Sequence, residues 1–219
     1  MKAKLVIFDL DGTLLDSIDD LAASTNHALQ LHGYPQHERA AYRYFVGNGV
    51  RKLIERALPE DARQADNINR LLQDFLAYYQ THKTVYTHPY QGIPETLAQL
   101  HAAGIQLAVA SNKYHQGTLE LIHHYFGEKL FSIVLGQREG IPVKPNPAIV
   151  HDILTQTALP ANRTLYVGDS GVDMQTAINS RLTSIGVTWG FRPRTELEAN
   201  SADYIINSPS ELLPIAGIG

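Results

Sequence analysis

The sequence predicts an α/β fold, a doubly wound parallel sheet with an inserted helical subdomain. Two observations predict the sheet: short, nearly continuous aliphatic runs, which are typical of parallel strands covered on both faces, and helical patterns between those runs. A third observation predicts the insertion, since no strand-like run occurs between about residues 17 and 88. The chain has 219 residues, enough for one well-buried core and a smaller accessory unit.

Five segments have the composition of buried strands. They are Leu5–Phe8, Ile105–Ala110, Phe131–Leu135, Thr164–Val167 and Thr183–Val187. We expect one helix over residues 93–101, opened by Pro94 and ended at Gly104, and another that begins at Pro147, because proline favours the first turn of a helix and glycine its end. This alternation of strands and helices predicts a parallel sheet with helices on both faces.

The segment between the first strand and the rest of the sheet has helical spacing throughout. Ser17 and Asp20 resemble a capping box at the start of the first helix. Three helical faces follow: Leu21, Thr25, Leu29 and His32; Leu53, Ile54, Ala57 and Leu58; and Leu71, Leu72, Phe75, Leu76, Tyr78 and Tyr79. A structureless loop of about 70 residues is rare in a compact domain. We therefore expect a core of residues 1–16 and 88–219 and a helical subdomain of residues 17–87.

Composition excludes several function classes. The chain has no cysteine, which excludes disulfides, zinc–thiolate sites, iron–sulfur clusters and cysteine nucleophiles. A net charge of -4 argues against nonspecific nucleic-acid binding, which needs a basic surface. No apolar run has the length of a signal sequence or a membrane span, so we expect a soluble cytoplasmic protein. The sequence leaves open whether it is a monomer or a homodimer.

Polar side chains follow four of the predicted strands. In open parallel sheets, ligands bind at the carboxyl ends of the strands, so these side chains should meet at one edge. They are Asp9, Asp11, Gly12 and Thr13; Ser111, Asn112 and Lys113; Lys144; and Gly168, Asp169, Ser170 and Asp173.

These residue types suit phosphoryl transfer. Asp9 and Asp11 lie two residues apart, and a divalent cation would relieve the repulsion between their carboxylates. Ligation by oxygen alone favours Mg²⁺. Lys144 supplies a fixed positive charge for an anion, Ser111 and Asn112 supply neutral donors, and a glycine after the second aspartate lets backbone amides approach an anion. The residues alone do not say which aspartate is the nucleophile.

The sequence resembles the phosphatases of the haloacid dehalogenase superfamily. Four motifs in the family's order carry the resemblance: Asp9-Leu10-Asp11-Gly12-Thr13-Leu14; Ser111-Asn112-Lys113; Lys144-Pro145-Asn146-Pro147; and Gly168-Asp169-Ser170 with Asp173. The helical insertion is similar to the family's C1-type cap. Within the superfamily the chain is most similar to phosphoglycolate phosphatases, on Val46-Gly47-Asn48-Gly49-Val50-Arg51 and Gly186-Val187-Thr188-Trp189-Gly190. One departure is the absence of a glycine in Ala177–Leu182, where the family often has one.

The resemblance implies a role for each motif residue. Asp9 would attack phosphorus and form an aspartyl-phosphate, while Asp11 would protonate the leaving alcohol and then activate water. Mg²⁺ would be held by the Asp9 carboxylate, the Asp11 backbone carbonyl and Asp169, and Asp173 would hold metal-bound water or orient Lys144. The phosphoryl oxygens would be held by Ser111, Asn112 and Lys144, with Gly12 and Thr13 beside them.

The insertion is expected to close over the site as a cap, with hinges near Leu15–Asp16 and Thr87–His88. The turn Gly47–Gly49 would then face the leaving group, and Arg51 could pair with a substrate carboxylate or lie on a solvated helix face. The expected substrate is a small phosphorylated metabolite, most simply phosphoglycolate.

Several alternatives stay open. Within the superfamily they are a sugar-phosphate phosphatase or mutase and a pyrophosphatase; a dehalogenase is disfavoured because it does not need Asp11. A response-regulator-like phospho-switch would be shorter and would lack the insertion. A binding module that has lost activity would not need the intact aspartates and Lys144.

Overall fold

The computed structural model describes residues 2–218. In chain order its strands are β1 (Leu5–Phe8), β2 (Leu15–Asp16), β3 (His88–Pro89), β4 (Gln106–Tyr114), β5 (Ile133–Gln137), β6 (Thr164–Gly168), β7 (Thr183–Val187) and β8 (Tyr204–Ile206). Its α-helices are α1 (Ile18–Leu31), α2 (Arg39–Phe45), α3 (Val50–Ala57), α4 (Ala65–His82), α5 (Ile93–Ala102), α6 (His115–Phe126), α7 (Ala148–Thr157), α8 (Gly171–Asn179), α9 (Arg194–Ala199) and α10 (Leu212–Ile215).

Six strands form one parallel sheet in the order β5-β4-β1-β6-β7-β8. Side chains alternate between its two faces, as the pleat of a strand requires. Val6 and Phe8 pack with α5, α6 and α10, whereas Leu5 and Ile7 pack with α7 and α8. The predicted doubly wound parallel sheet is confirmed, and α5 and α7 occupy the segments predicted as helices.

The strand predictions differ from the structure at several strand ends and miss β2, β3 and β8. Strand β4 runs past its predicted end at Ala110 as far as Tyr114, with an irregular register against β5 over that extension. Strand β5 begins at Ile133, two residues after the predicted start. Strand β8 was not predicted, because it has only three residues and its Tyr204 is exposed at the sheet edge.

Residues 18–82, called here the helical unit, contain α1 to α4 packed around a second hydrophobic cluster, which also includes Phe191 from the sheet domain. The unit joins the sheet through β2 and β3, which pair antiparallel at the two predicted hinges. The predicted capping box of Ser17 and Asp20 is wrong. The Ser17 hydroxyl donates to Asp11 instead, and the Asp20 carboxylate accepts hydrogen bonds from the chain that leaves the unit, at Tyr86 and Thr87.

Two further features bear on the predictions. Where the family often has glycine after α8, Arg181 adopts the left-handed conformation with φ of 57°, which explains how the turn forms without glycine.

Across the described residues 2–218, every helix is too short or too polar to cross a membrane. The cytoplasmic location stays a prediction.

Candidate active site

A buried lysine lies at the centre of the site, at the carboxyl edge of the sheet. Asp9 follows β1 directly, and its N–H donates to the carbonyl of Val167 on β6 at 2.9 Å. Lys144 is 1% exposed, and its Nζ lies 2.9 Å from Asp9 Oδ1 and 2.8 Å from Asp173 Oδ1. Burial disfavours the charged amine, but the two carboxylates outweigh this effect. They raise the pKa of Lys144 well above its usual value. Lys144 is therefore a fixed cation.

Asp9, Asp169 and Asp173 form an acidic triad, since each offers a carboxylate oxygen within 4.8 Å of the others. Burial raises the pKa of Asp9 to about 7, although Lys144 opposes the rise. Burial also raises the pKa of Asp169 well above its usual range, with Asp173 and Asp9 adding to the effect. One lysine does not balance three carboxylates, so the triad attracts further positive charge. Oxygen donors at this spacing fit a hard divalent cation such as Mg²⁺.

Asp169 is fixed by contacts that the sequence analysis missed. The N–H of Phe191, after β7, donates to Asp169 Oδ2 at 2.7 Å. A Cβ on Gly12 would lie 2.4 Å from that oxygen, and a Cβ on Gly190 would lie 2.3 Å from the Asp169 Cβ. Both glycines are needed for Asp169 to reach the triad. Gly190, just past a strand end, was the available signal.

Asp173 serves two partners through its two oxygens. Oδ2 accepts from the Ser170 N–H at 3.2 Å and from the Ser170 hydroxyl at 2.6 Å, in a capping box that opens α8. Oδ1 contacts Lys144 at 2.8 Å and accepts from the Tyr166 hydroxyl at 3.4 Å. The helix cap thus positions the carboxylate that contacts Lys144.

The Asp11 carboxylate is separate from the triad and has its own partners. Its Oδ1 accepts from the Ser17 hydroxyl at 2.6 Å. Lys113 Nζ lies 3.1 Å from each Asp11 oxygen, and the Lys113 side chain is 4% exposed. The predicted motif included Lys113, but the sequence analysis gave it no role.

Ser111 and Asn112 both reach the site, but they differ in how many of their hydrogen-bonding groups are already used. The Asn112 amide donates to the carbonyls of Gly47 at 2.9 Å and Lys144 at 3.2 Å, and its oxygen accepts from the Lys144 N–H at 2.8 Å. It therefore fixes the Lys144 loop and contacts the helical unit. Ser111 Oγ accepts from the Lys113 N–H at 3.1 Å, which leaves its hydroxyl hydrogen free to donate to an anion.

The remaining predicted residues are Thr13, which does not line the cleft described below, and Arg51, which lies away from the site. Thr13, next to Gly12, has a buried hydroxyl that has no partner among residues 2–218. Arg51 lies on the exposed side of α3, where it donates to Asn69 Oδ1 at 2.6 Å. The structure does not bring Arg51 to the site. Arg192, which was not predicted, instead links the core to the helical unit by donating to the Val46 carbonyl at 2.9 Å.

A cleft lies between the sheet edge and the helical unit. Burial raises the pKa of Tyr79, one of its lining residues, well above the usual value, so the phenol stays protonated. The lining residues are Asp9, Asp11, Leu21, Val46, Gly47, Gly49, Val50, Leu53, Phe75, Tyr79, Ser111, Asn112, Lys113 and Tyr114.

Together these groups can bind an anion and attack it. Lys144 and the Ser111 hydroxyl can hold an anion next to Asp9. The Asp9 carboxylate is then placed to attack it. Asp11 lies on the cleft side, where an acid or base would reach a leaving group.

Comparison with known proteins matches residues 6–187 to the model of the haloacid dehalogenase-like hydrolase family. The chain is 34% identical over 220 residues to a phosphoglycolate phosphatase of Vibrio parahaemolyticus, covering 98% of this chain and 96% of the relative. It is 35% identical to one of Mesorhizobium japonicum, covering 89% and 86%. A solved structure of a predicted phosphoglycolate phosphatase from Haemophilus somnus is 30% identical, with a TM-score of 0.91 and 98% of each chain covered. The similarity therefore spans both the sheet and the helical unit.

Proposed function

The chain belongs to the haloacid dehalogenase-like hydrolase family and is a phosphatase, and on that premise we propose that it hydrolyses phosphoglycolate with Mg²⁺ through an aspartyl-phosphate on Asp9. The observation that carries the proposal is the contact of Lys144 with Asp9 and Asp173 at the sheet edge. It puts a fixed cation beside a carboxylate that opens onto the cleft.

The proposed reaction has two steps. An Asp9 oxygen attacks phosphorus as the ester P–O bond breaks, and Asp11 gives its proton to the departing alkoxide. Water then attacks the phosphorus of the aspartyl-phosphate and passes a proton to Asp11. Inorganic phosphate leaves, and the Asp9 carboxylate is regenerated. Lys144 and Ser111 hold the phosphoryl oxygens in both steps, as preorganised donors for developing charge.

Mg²⁺ would be held by Asp9, Asp169 and the Asp11 backbone carbonyl, with Asp173 behind them. When bound, it supplies positive charge that lowers the repulsion between the phosphoryl group and the carboxylates. The fit rests on the all-oxygen triad and its excess of negative charge.

We propose that residues 17–87 act as a cap that opens for the substrate and closes to exclude water. The hinge pair of β2 and β3 and the contacts of Asn112 and Arg192 with the helical unit support this proposal. The two relatives that are phosphoglycolate phosphatases support glycolate, rather than a sugar, as the leaving group.

The test is a panel of phosphate esters, with pyrophosphate as an anhydride, assayed on purified protein with Mg²⁺ and with Asp9→Asn as control. The panel contains phosphoglycolate, several sugar phosphates, pyrophosphate and p-nitrophenyl phosphate. We expect kcat/KM to be at least about tenfold higher for phosphoglycolate than for any sugar phosphate. This ratio corresponds to a difference of about 1.4 kcal/mol in transition-state stabilisation. A sugar phosphate that ranks first would overturn the substrate assignment. Absence of turnover on every ester would favour a phospho-switch.

A further inference from the structure

We propose that Lys113 and Tyr79 form a subsite for the anionic end of the leaving group, which makes the enzyme select phosphate monoesters with a carboxylate next to the ester-bearing carbon. The inference rests on the proposed function and deepens it. It also replaces Arg51, which the structure keeps away from the cleft, as the group that recognises the carboxylate.

Lys113 is the one lysine or arginine among the described side chains that line the cleft. Its ammonium contacts the two oxygens of the Asp11 carboxylate, at 3.1 Å each, and lies 4.8 Å from the centre of the Tyr79 ring. An ammonium has three N–H donors. Because its hydrogen bonds within residues 2–218 go to a single carboxylate, at least one donor remains for a second anion.

The position of Lys113 matches the reach of phosphoglycolate. Asp11, in the proposed reaction, lies within hydrogen-bond distance of the ester oxygen. In phosphoglycolate a single methylene separates that oxygen from the carboxylate. A cation that contacts Asp11 is therefore also within reach of this carboxylate. A longer leaving group would carry its charge past Lys113 towards the apolar wall.

Tyr79 supplies a second, independent observation. Its side chain is fully buried and lines the cleft, yet its hydroxyl has no hydrogen-bond partner in the described chain. A buried hydroxyl without a partner is unfavourable for folding, and a ligand oxygen in the cleft would supply one. The surrounding wall from the helical unit is apolar: Leu21, Val46, Val50, Leu53 and Phe75.

The experiment compares phosphoglycolate with 2-hydroxyethyl phosphate, which has a neutral hydroxymethyl group in place of the carboxylate. We expect Lys113→Met to lower kcat/KM for phosphoglycolate by at least about 100-fold more than for 2-hydroxyethyl phosphate, because loss of a designed polar contact strongly reduces discrimination. Any effect of Lys113 on Asp11 acts on both substrates and cancels in this ratio. Lys113→Arg should restore part of the preference.

Tyr79→Phe is the second variant, and Tyr42→Phe is its matched control. Both tyrosines are buried in the helical unit, but the Tyr42 hydroxyl donates to Asn26 Oδ1 at 2.6 Å. We expect Tyr79→Phe to keep or raise the Tm without substrate and to raise KM several-fold for phosphoglycolate alone. We expect Tyr42→Phe to lower the Tm and leave the substrate ratio unchanged.

Two outcomes would overturn the subsite. One is an equal loss on both substrates in Lys113→Met; the other is an unchanged substrate ratio in Tyr79→Phe. In both cases the wild-type protein still hydrolyses phosphoglycolate, so the proposed function stands. Failure of the wild-type protein to hydrolyse phosphoglycolate would instead overturn the proposed function.

Discussion

Replacing Lys144 with methionine is the most informative change to the charge balance of the site. The wild-type ammonium is buried between Asp9 Oδ1 at 2.9 Å and Asp173 Oδ1 at 2.8 Å. Methionine keeps much of the apolar stem and removes the charge. The acidic triad then has no lysine against it. We therefore expect the variant to lose stability without metal and to gain more from Mg²⁺ than the wild-type protein does.

The size of the effect follows from the burial of the pair. Removing one partner of a buried ion pair costs about 3–5 kcal/mol, which is less than the roughly 5–15 kcal/mol that stabilises a typical domain. For a chain of this length, 1 kcal/mol shifts the Tm by about 2–4 °C, so the Tm should fall by about 6–20 °C. At pH 5 the loss should shrink, because burial already raises the pKa of Asp9 to about 7 and a protonated Asp9 needs no counter-charge.

The assay is thermal unfolding at pH 5 and pH 8, with and without Mg²⁺. The control is Lys52→Met, whose ammonium forms an exposed pair with Glu55 and should contribute less than about 1 kcal/mol. A Tm for Lys144→Met within about 2 °C of the wild-type value at pH 8 without metal would refute the reasoning, since the triad would then need no lysine.

Three further predictions concern the pH dependence of stability, the packing of Gly190 against Asp169, and the contact of Asp20 with Thr87. Burial raises the pKa of Asp9 from 3.8 in the unfolded chain to about 7; the folded state holds the extra proton between these values, so metal-free stability should fall as pH rises from about 4 to 7. Mg²⁺ should therefore raise the Tm more at pH 8 than at pH 5. Gly190→Ala should abolish the Mg²⁺-dependent rise in Tm, because the new methyl overlaps Asp169. Asp20→Ala removes the acceptor of the Thr87 N–H and hydroxyl at 2.8 and 2.7 Å and should cost about 1–3 kcal/mol in urea unfolding.

Each of these predictions has a contradicting result. Metal-free stability that rises between pH 5 and 8 would contradict the raised pKa of Asp9. A Mg²⁺ response in Gly190→Ala equal to that of the wild type would show that Asp169 tolerates the methyl. For the hinge, the control is Asp61→Ala, an exposed aspartate, and an equal cost in both variants would contradict the role of Asp20.

The parts of the site that the sequence predicts depend on topology alone. Parallel strands end at one edge of their sheet, so residues that directly follow them converge whatever the details of packing. Asp9 and Asp169 converge for this reason, whereas Asp173 is positioned by the cap of α8 and Lys144, seven residues after β5, by its contact with Asn112. The buried runs of β1, β6 and β7 were recognisable because composition alone marks a strand covered on both faces.

The parts that it does not predict depend on contacts between distant segments. Ser17 and Asp20 match a local capping pattern, but Asp11 and Thr87 compete for their side chains and are more favourable partners. Arg51 has the charge to bind a carboxylate, but α3 turns it towards Asn69. The Phe191 N–H that fixes Asp169 and the Asp11 carboxylate that Lys113 contacts are distant from their partners in the sequence. Only the folded structure brings them together.

The most direct test of the central claim is to trap the aspartyl-phosphate. The protein is mixed with phosphoglycolate and Mg²⁺, quenched within the first turnovers and treated with borohydride, which reduces an acyl phosphate to an alcohol. Mass spectrometry of the peptide that contains residue 9 should then show homoserine in place of Asp9. The product should be absent without substrate and in Asp9→Asn, which should not turn over. Continued turnover in Asp9→Asn, or reduction at Asp11 with Asp9 unmodified, would contradict the account.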